Sequence, residues 1–416
     1  MTYKHRHIYN SIELHIDKKE YTIITGARQV GKTTLLREFY KELKRKDKVV
    51  HFLSFENVEV LKAVNEHPEN LFKFINRPVN PLETEDKVTD RIFLLIDEVQ
   101  YVNDPSGFLK YLFDTYLDNL KIIATGSSAF YIDSKFRDSL AGRKKIFQLF
   151  SLNFLEYLEF LERKDLSDEI HEIKNRKEYI SLKLREIYEY FDLFLVYGGY
   201  PAVVLEDNVI FKKERLIELR DAYVKRDILE SGVRNELDFY QLMTLLAGQI
   251  GNLVNKNELS NTLGIHNVTL IHYLQILEKC FYIQLIHPFH KNIRKELTRM
   301  PKIFFYDTGL RNALLNRFYP LDNRDDKGAL IENYVFSKLK ETFHNEEIKY
   351  WRTADGNEID FIISQDYKTG EAYEVKFSHR EIKQSGYNKF RERYAHINLN
   401  LITYKSSANS GSVFEL

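Results

Sequence analysis

Over the first 150 residues, apolar positions fall into short runs separated by segments of helical period. Residues 21–25, 49–53, 91–96, 121–124 and 146–150 are those runs, and each reads as a strand. Behind Arg91, the run at 91–96 is continuously apolar, as in a strand covered on both faces of a parallel sheet. After the first run, Leu35, Leu36, Phe39, Tyr40 and Leu43 recur at three- and four-residue intervals, the spacing of one helix face. Strands alternating with helices predict an α/β domain over 1–150, a three-layer doubly wound sheet sandwich of the P-loop kind.

From Ser151 the period is helical, with Leu152, Leu155, Leu158 and Leu161 beside Phe154 and Phe160. The charged stretch 162–178 reads as solvated helix or linker, and Gly198-Gly199-Tyr200-Pro201 breaks the chain before helices resume. Residues 257–279 read as a helix-turn-helix. Leu259 and Leu263 lie on the first helix, Gly264 at the turn and Asn267 at the cap of the second. In the second helix Val268, Ile271, Leu274 and Leu277 are expected inward, with Thr269, His272 and Tyr273 outward. Strands at 282–286 and 302–306 follow, with 291–302 as a wing. The last ninety or so residues give a helix over 330–343 and strands at 348–351, 358–363 and 372–377. The expected division is 1–150, a helical lid or linker over 151–235, a winged-helix-like domain over 236–310 and an α/β domain over 311–416.

Candidate chemistry changes this picture at two places. Between the first strand and the first helix, Gly26, Ala27, Arg28, Gln29, Val30, Gly31, Lys32 and Thr33 spell GxxxxGKT, followed by Thr34. In that context the glycines let backbone N–H groups turn inward around phosphates, and the helix start adds roughly half a positive charge. Lys32 is placed to reach the β/γ-phosphates and Thr33 to offer a hydroxyl to Mg²⁺. The third run ends in Asp97-Glu98. Asp97 is expected to hold the metal with Thr33, and Glu98 to orient or deprotonate the attacking water. At the tip of the fourth strand, Ser127 is the candidate hydroxyl sensor of the γ-phosphate. Arg143 and Arg137 are the candidates for neutralising transition-state charge.

The second place is the C-terminus. In a strand alternate residues share a face, so Glu374 and Lys376 point together, and a hairpin with 358–363 brings Asp360 opposite them. Two carboxylates and a lysine on one face suit metal-dependent phosphodiester hydrolysis. Asp360 and Glu374 are the expected Mg²⁺ ligands, Lys376 steadies the nucleophile or developing charge, and Glu332 joins as a further ligand or general base.

Charge and composition narrow the partners. With 61 acidic and 61 basic residues, the chain is not one that coats nucleic acid over its whole surface. Nucleic-acid contact is therefore expected only through the basic segments 291–302 (Lys291, Arg294, Lys295, Arg299, Lys302) and 380–393 (Arg380, Lys383, Lys389, Arg391, Arg393). A protein partner or homo-oligomer is equally compatible. The lone Cys280 cannot form an internal disulfide, and His266 and His272 lack a third ligand for a metal. No run approaches the roughly 18 apolar residues of a membrane span. No signal-like N-terminus is read, so no membrane partner and a cytoplasmic location are expected.

With these motifs in hand, the chain resembles a prokaryotic family of AAA-type ATPases joined to a C-terminal domain with a PD-(D/E)xK nuclease-like core. The likeness rests on GARQVGKTT (26–34), LLIDEVQ (94–100), ATGSSA (124–129), LAGR (140–143), YGGYP (197–201) and KRDI (225–228). It continues through KIFFYDTGL (302–310), IENYVFSKL (331–339), YWRTADGNEIDFII (350–363) and YEVKFS (373–378). It implies ATP as the nucleotide, hydrolysis with Mg²⁺, a winged-helix middle and a restriction-endonuclease-like end. Lys32, Thr33, Asp97 and Glu98, and Glu332, Asp360, Glu374 and Lys376, carry over at the matching positions. Three readings of the whole follow. In the first, nucleotide state gates a DNA-directed nuclease-like domain. In the second, the ATPase is a switch with a non-cutting interaction module. In the third, the chain is a nucleotide-sensing DNA-binding regulator.

Overall fold

The computed structural model describes residues 3–81, 91–126, 140–176, 179–290, 293–366, 369–382, 384–406 and 410–416. It divides into two compact units, residues 1–150 with 279–281, and residues 151–278 with 282–416.

The first unit is built on five strands: β1 (Tyr21–Thr25), β2 (Val49–Ser54), β3 (Ile92–Asp97), β4 (Leu120–Gly126) and β5 (Lys144–Gln148). All are parallel, in the order β2-β3-β4-β1-β5. Every residue of β1, β3 and β4 is buried, in keeping with the apolar centre of each strand, Ile23 and Ile24, Ile92 to Ile96, and Ile122 to Ala124. Alternate strand residues Ile23, Leu94, Ile96 and Ile122 pack with Val60 and Val64 of the helix Val58–Glu66 and with Leu109 and Leu112 of the helix Pro105–Tyr116. The helix Lys32–Arg45 packs on β2, β3 and β4 through a buried stripe that includes Leu35, Leu36, Phe39 and Leu43. Helix starts follow from local chemistry: Asn57 accepts hydrogen bonds from the N–H groups of Glu59 and Val60, and Asp104 from that of Gly107, with Pro105 next to it. Lys121 is buried in β4, where its ammonium donates to carbonyls at the end of the first helix (Ile8–Ile16), His15 at 3.1 Å and Lys18 at 3.2 Å.

The second unit is mainly helical up to residue 278, with long helices at Leu184–Tyr197, Val209–Ser231 and Glu236–Gly248. The helices Lys256–Leu263 and Asn267–Lys279 are separated at Gly264, whose φ of 65° ends the first of them. The antiparallel strands β6 (Ile283–Ile286) and β7 (Lys302–Phe305) follow, with a short helix, Ile293–Thr298, between them. The expected inward face of Asn267–Lys279 is corrected: Val268 is 79% and Ile271 39% exposed, while Tyr273 is buried. The stripe that packs is Leu270, Tyr273, Leu274 and Leu277, a full i, i+3, i+4, i+7 set.

One buried junction ties two of the sequence motifs together. Gly199 N–H donates to Asp307 Oδ2 at 2.8 Å, and Leu310 N–H donates to Asp307 Oδ1 at 2.9 Å. The backbones are in near contact, since a Cβ on Gly199 would sit 2.1 Å from the Leu152 carbonyl oxygen and one on Gly309 2.1 Å from that of Tyr197. Asn312, next along the same helix Thr308–Leu315, donates to the carbonyls of Leu195 and Val196 at 3.0 and 2.9 Å. YGGYP and YDTGL are therefore the two halves of one packing joint.

The C-terminal sheet joins β8 (Ile348–Arg352), β9 (Glu358–Ile363), β10 (Gly370–Lys376), β11 (Ile397–Thr403) and β12 (Gly411–Ser412) in that spatial order. β8, β9 and β10 are antiparallel neighbours, whereas β11 is parallel to β10 and β12 to β11. The helix Lys327–Lys340 packs against β10.

Candidate functional site

Residues 26–33 connect the carboxyl end of β1 to the helix Lys32–Arg45. Gly31 takes φ +101°, with nothing within 4 Å of where a Cβ would stand, so the loop needs glycine for its backbone and leaves open space there. Gln29 is left-handed at φ 54° and exposed, while Gly26, Ala27, Arg28 and Val30 are buried and Thr34 is exposed. Inside the loop the buried Lys32 ammonium donates to the carbonyls of Gly26 at 2.9 Å and Ala27 at 2.7 Å. The loop is a cradle of backbone groups around one cation at a helix start, which is a site for an anion.

The acidic pair meets the loop. Thr33 Oγ1 donates to Asp97 at 2.9 and 3.1 Å to its two carboxylate oxygens. Thr125, at the end of β4, donates its hydroxyl to Asp97 Oδ1 and accepts from the Glu98 N–H at 3.1 Å. Burial pushes the Asp97 carboxyl up, against the lowering by the Thr125 and Thr33 hydroxyls. Glu98 sits at φ 59°, outside the strand, and its carboxylate accepts from the side-chain amide of Gln100. A hydroxyl beside a carboxylate gives the oxygen-only donor set of a hard divalent cation, so the residues present fit one.

Two further residues build the site without a signal in the motif. Arg6 donates to the Val30 carbonyl at 2.7 Å and to the Phe150 carbonyl at 2.9 Å, holding the loop from the N-terminal segment. Thr125 lies at the strand tip in the ATGSSA string beside Ser127, which, with Arg137, lies outside the described residues. Arg143 is a correction. It stands at the start of β5, where its carbonyl accepts from Tyr21 N–H at the amino end of β1. Its guanidinium pairs with Asp114 at 2.6 Å. The phosphate loop leaves the opposite end of β1, so Arg143 does not reach a nucleotide held by its own loop.

The C-terminal residues also converge, around a buried cation. Extending the β9–β10 register of Tyr373 with Phe361 places Asp360 opposite Glu374. Lys376 Nζ lies 2.6 Å from Glu374 and 3.9 Å from Asp360, and Asp360 Oδ2 accepts from Val375 N–H at 2.9 Å. At the centre, however, is Lys302, counted above with the basic wing. It opens β7, is 1% exposed, and its ammonium meets Glu332 at 2.8 Å, Asp360 at 2.9 Å and Glu358. Burial alone would raise Asp360, but the Lys302 and Lys376 ammoniums hold it below the usual range. Burial beside Asp360 pushes the Glu332 and Glu374 carboxyls up to about 8. Among the described residues no three His, Cys, Asp or Glu side chains form a metal-holding group. The expected Mg²⁺ ligands Asp360 and Glu374 therefore do not fit that role as arranged: Asp360 already has an ammonium on one oxygen and a backbone N–H on the other. Glu358, two residues before Asp360, shares its strand face by alternation and joins the cluster beyond the expected residues.

The basic segments are thinner than their sequence. Arg294 and Arg299 are exposed and Lys302 is not; Lys389 pairs with Asp355, while Arg380, Arg391 and Arg393 are exposed. Lys291 and Lys383 lie outside the described residues.

A parallel β2-β3-β4-β1-β5 sheet, with a glycine loop after β1 and an acidic pair after β3, defines a P-loop ATPase domain of the AAA type. Residues 18–158 match the family model described as an AAA domain. Residues 188–320 and 327–413 match two models, each described as a domain of unknown function (DUF8612 and DUF4143). An uncharacterized protein of Methanocaldococcus jannaschii is 25% identical over 95% of this chain and 85% of its own, and another from that organism is 27% identical over 88% and 78%. An uncharacterized protein of Haemophilus influenzae is 27% identical over 82% of this chain and 78% of its own. Among solved structures, AMPPCP-bound DnaA from Aquifex aeolicus aligns at 20% identity and a TM-score of 0.28, covering 67% of this chain and 89% of its own. ORC2 from Aeropyrum pernix aligns at 12% identity and a TM-score of 0.36, covering 75% and 91%. Superpositions this loose carry no functional argument. No helix among the described residues is long and apolar enough to cross a membrane.

Proposed function

We propose that the chain is an ATP-binding and ATP-hydrolysing switch whose C-terminal sheet is an interaction module rather than a metal-dependent nuclease. The observation that carries the ATPase reading is the Thr33–Asp97 contact at the mouth of the phosphate loop, with Lys32 buried beside it. In this reading the loop N–H groups and Lys32 hold the phosphates, and Thr33 and Asp97 hold Mg²⁺. When bound there, the ion would supply charge neutralisation for phosphoryl transfer. Glu98 orients the attacking water and takes its proton, Gln100 fixes the Glu98 carboxylate, and Thr125 holds Asp97 and the Glu98 backbone in register. A Glu98→Gln protein is expected to retain ATP while turnover falls by about a hundredfold or more. Steady-state phosphate release beside equilibrium ATP binding reads this out, and hydrolysis at the parent rate removes Glu98 from the role of base.

The interaction-module reading is supported by the Lys302-centred cluster, whose acids are already engaged by lysines. Wild-type and Asp360→Ala proteins, incubated with duplex DNA, single-stranded DNA and RNA plus Mg²⁺ or Mn²⁺, with and without ATP, are expected to leave every substrate intact. Cleavage by the wild type that Asp360→Ala abolishes restores the gated-nuclease reading.

A further inference from the structure

Four acidic side chains, Glu332, Glu358, Asp360 and Glu374, gather from the helix Lys327–Lys340 and from β9 and β10, and Lys302 enters them from β7. An ammonium has three N–H donors, and three different carboxylates face this one, so its hydrogen-bonding capacity is filled. The spacing is that of a nitrogen cation. Glu332 and Asp360 oxygens stand 2.8 and 2.9 Å from Nζ, whereas Mg²⁺ draws oxygens to about 2.0–2.1 Å. Lys376 supplies a second ammonium to Glu374 and Asp360, which leaves four acids against two lysines within the cluster. Arg352 offsets one acid by pairing with Glu358 at 2.6 Å. Glu374 is 4% exposed, and its Oε2 has no hydrogen-bond partner among the described residues. A buried oxygen in that state marks a place where a further cation or donor would be favoured.

We propose that Lys302 is a built-in cation that fills this cluster in place of a divalent ion, so that the C-terminal sheet carries a latent metal site closed by its own chain. Holding the acids apart at ammonium distance keeps them from contracting onto a metal, and covering both oxygens of Asp360 withholds the central ligand. Withdrawing the lysine leaves Glu332, Asp360 and Glu374 as oxygen donors for Mn²⁺ or Mg²⁺. The inference deepens the reading of the sheet as a non-cutting module, yet the two fail separately, because one is read by cation uptake and the other by strand cleavage.

The test is a nucleotide-free Mn²⁺ titration of the full chain, followed by the loss of the free-ion electron paramagnetic resonance signal. Wild-type and Asp360→Asn proteins are expected to bind the same amount of Mn²⁺. Lys302→Met is expected to gain one site per chain, at least about tenfold tighter than any wild-type binding, and Lys302→Met with Asp360→Asn to lose it. Where Lys302→Met fails to fold by circular dichroism, Lys302→Met with Glu358→Gln relieves one unpaired acid and is expected to show the same gain. A wild-type Mn²⁺ site that Asp360→Asn removes overturns the proposal, as does a folded lysine variant that takes up no ion. With neither variant folded, the wild-type comparison decides alone.

Discussion

Changing Lys32 to alanine is expected to abolish ATP turnover and to weaken ATP binding by about a hundredfold or more, since a preorganised cationic donor in a buried site contributes on that scale. The side chain is buried and its ammonium sits inside the loop on the Gly26 and Ala27 carbonyls. Its removal deletes a formal positive charge that hydrogen bonds to the loop's own carbonyls hold in the cradle. The fold should survive, because the apolar packing of the helix Lys32–Arg45 runs through Leu35, Leu36, Phe39 and Leu43. Calorimetric ATP binding, phosphate release and a thermal melt separate the three effects. Turnover within a few fold of wild type would refute the assignment of the nucleotide site.

Changing Asp307 to alanine is expected to produce the largest loss of stability in the second unit, about 2–5 kcal/mol, with ATP binding by the first unit left intact. Two backbone donors, Gly199 N–H and Leu310 N–H, depend on this carboxylate at 2.8 and 2.9 Å, and both lie where water does not compensate them. Burial pushes the Asp307 carboxyl up while those N–H groups and Ser151 pull it back, so the carboxylate form is held by hydrogen bonds rather than by a counter-ion. Asparagine keeps one acceptor oxygen and should lose less. Denaturant unfolding followed by tryptophan fluorescence reports this unit, since the lone Trp351 lies within it. Equal stability of the alanine variant and wild type would show that the junction is ornamental.

The ATPase half was legible because its chemistry is local. Gly26 to Thr33 is contiguous, β1 is a short run around Ile23 and Ile24, β3 is apolar from Ile92 to Ile96, and Asp97 ends it, so position along the chain already implies position in space. Arg143 failed for the converse reason. Its neighbours in sequence say that a strand begins there, but not that the strand runs parallel to β1 with its start at the far end from the loop. Asp360, Glu374 and Lys376 were readable from strand alternation and a hairpin. Lys302 was not, because a lysine in a basic run looks solvated until three acids from residues 332, 358 and 360 are folded around it. Apolarity alone points Val268 and Ile271 inward, although Leu270 and Tyr273, two residues further along, form an equally regular stripe.

The position of β1 between β4 and β5 has a consequence for synthesis. Its partners are Ile123, Ala124, Thr125 and Gly126 on one side and 144–148 on the other, so the strand bearing the phosphate loop has no neighbour until about residue 126 has left the ribosome. A nascent chain therefore cannot be rescued by nucleotide during the first third of translation. Until then β1 has no strand beside it on either edge, and its backbone hydrogen bonds wait for residues more than a hundred positions further along.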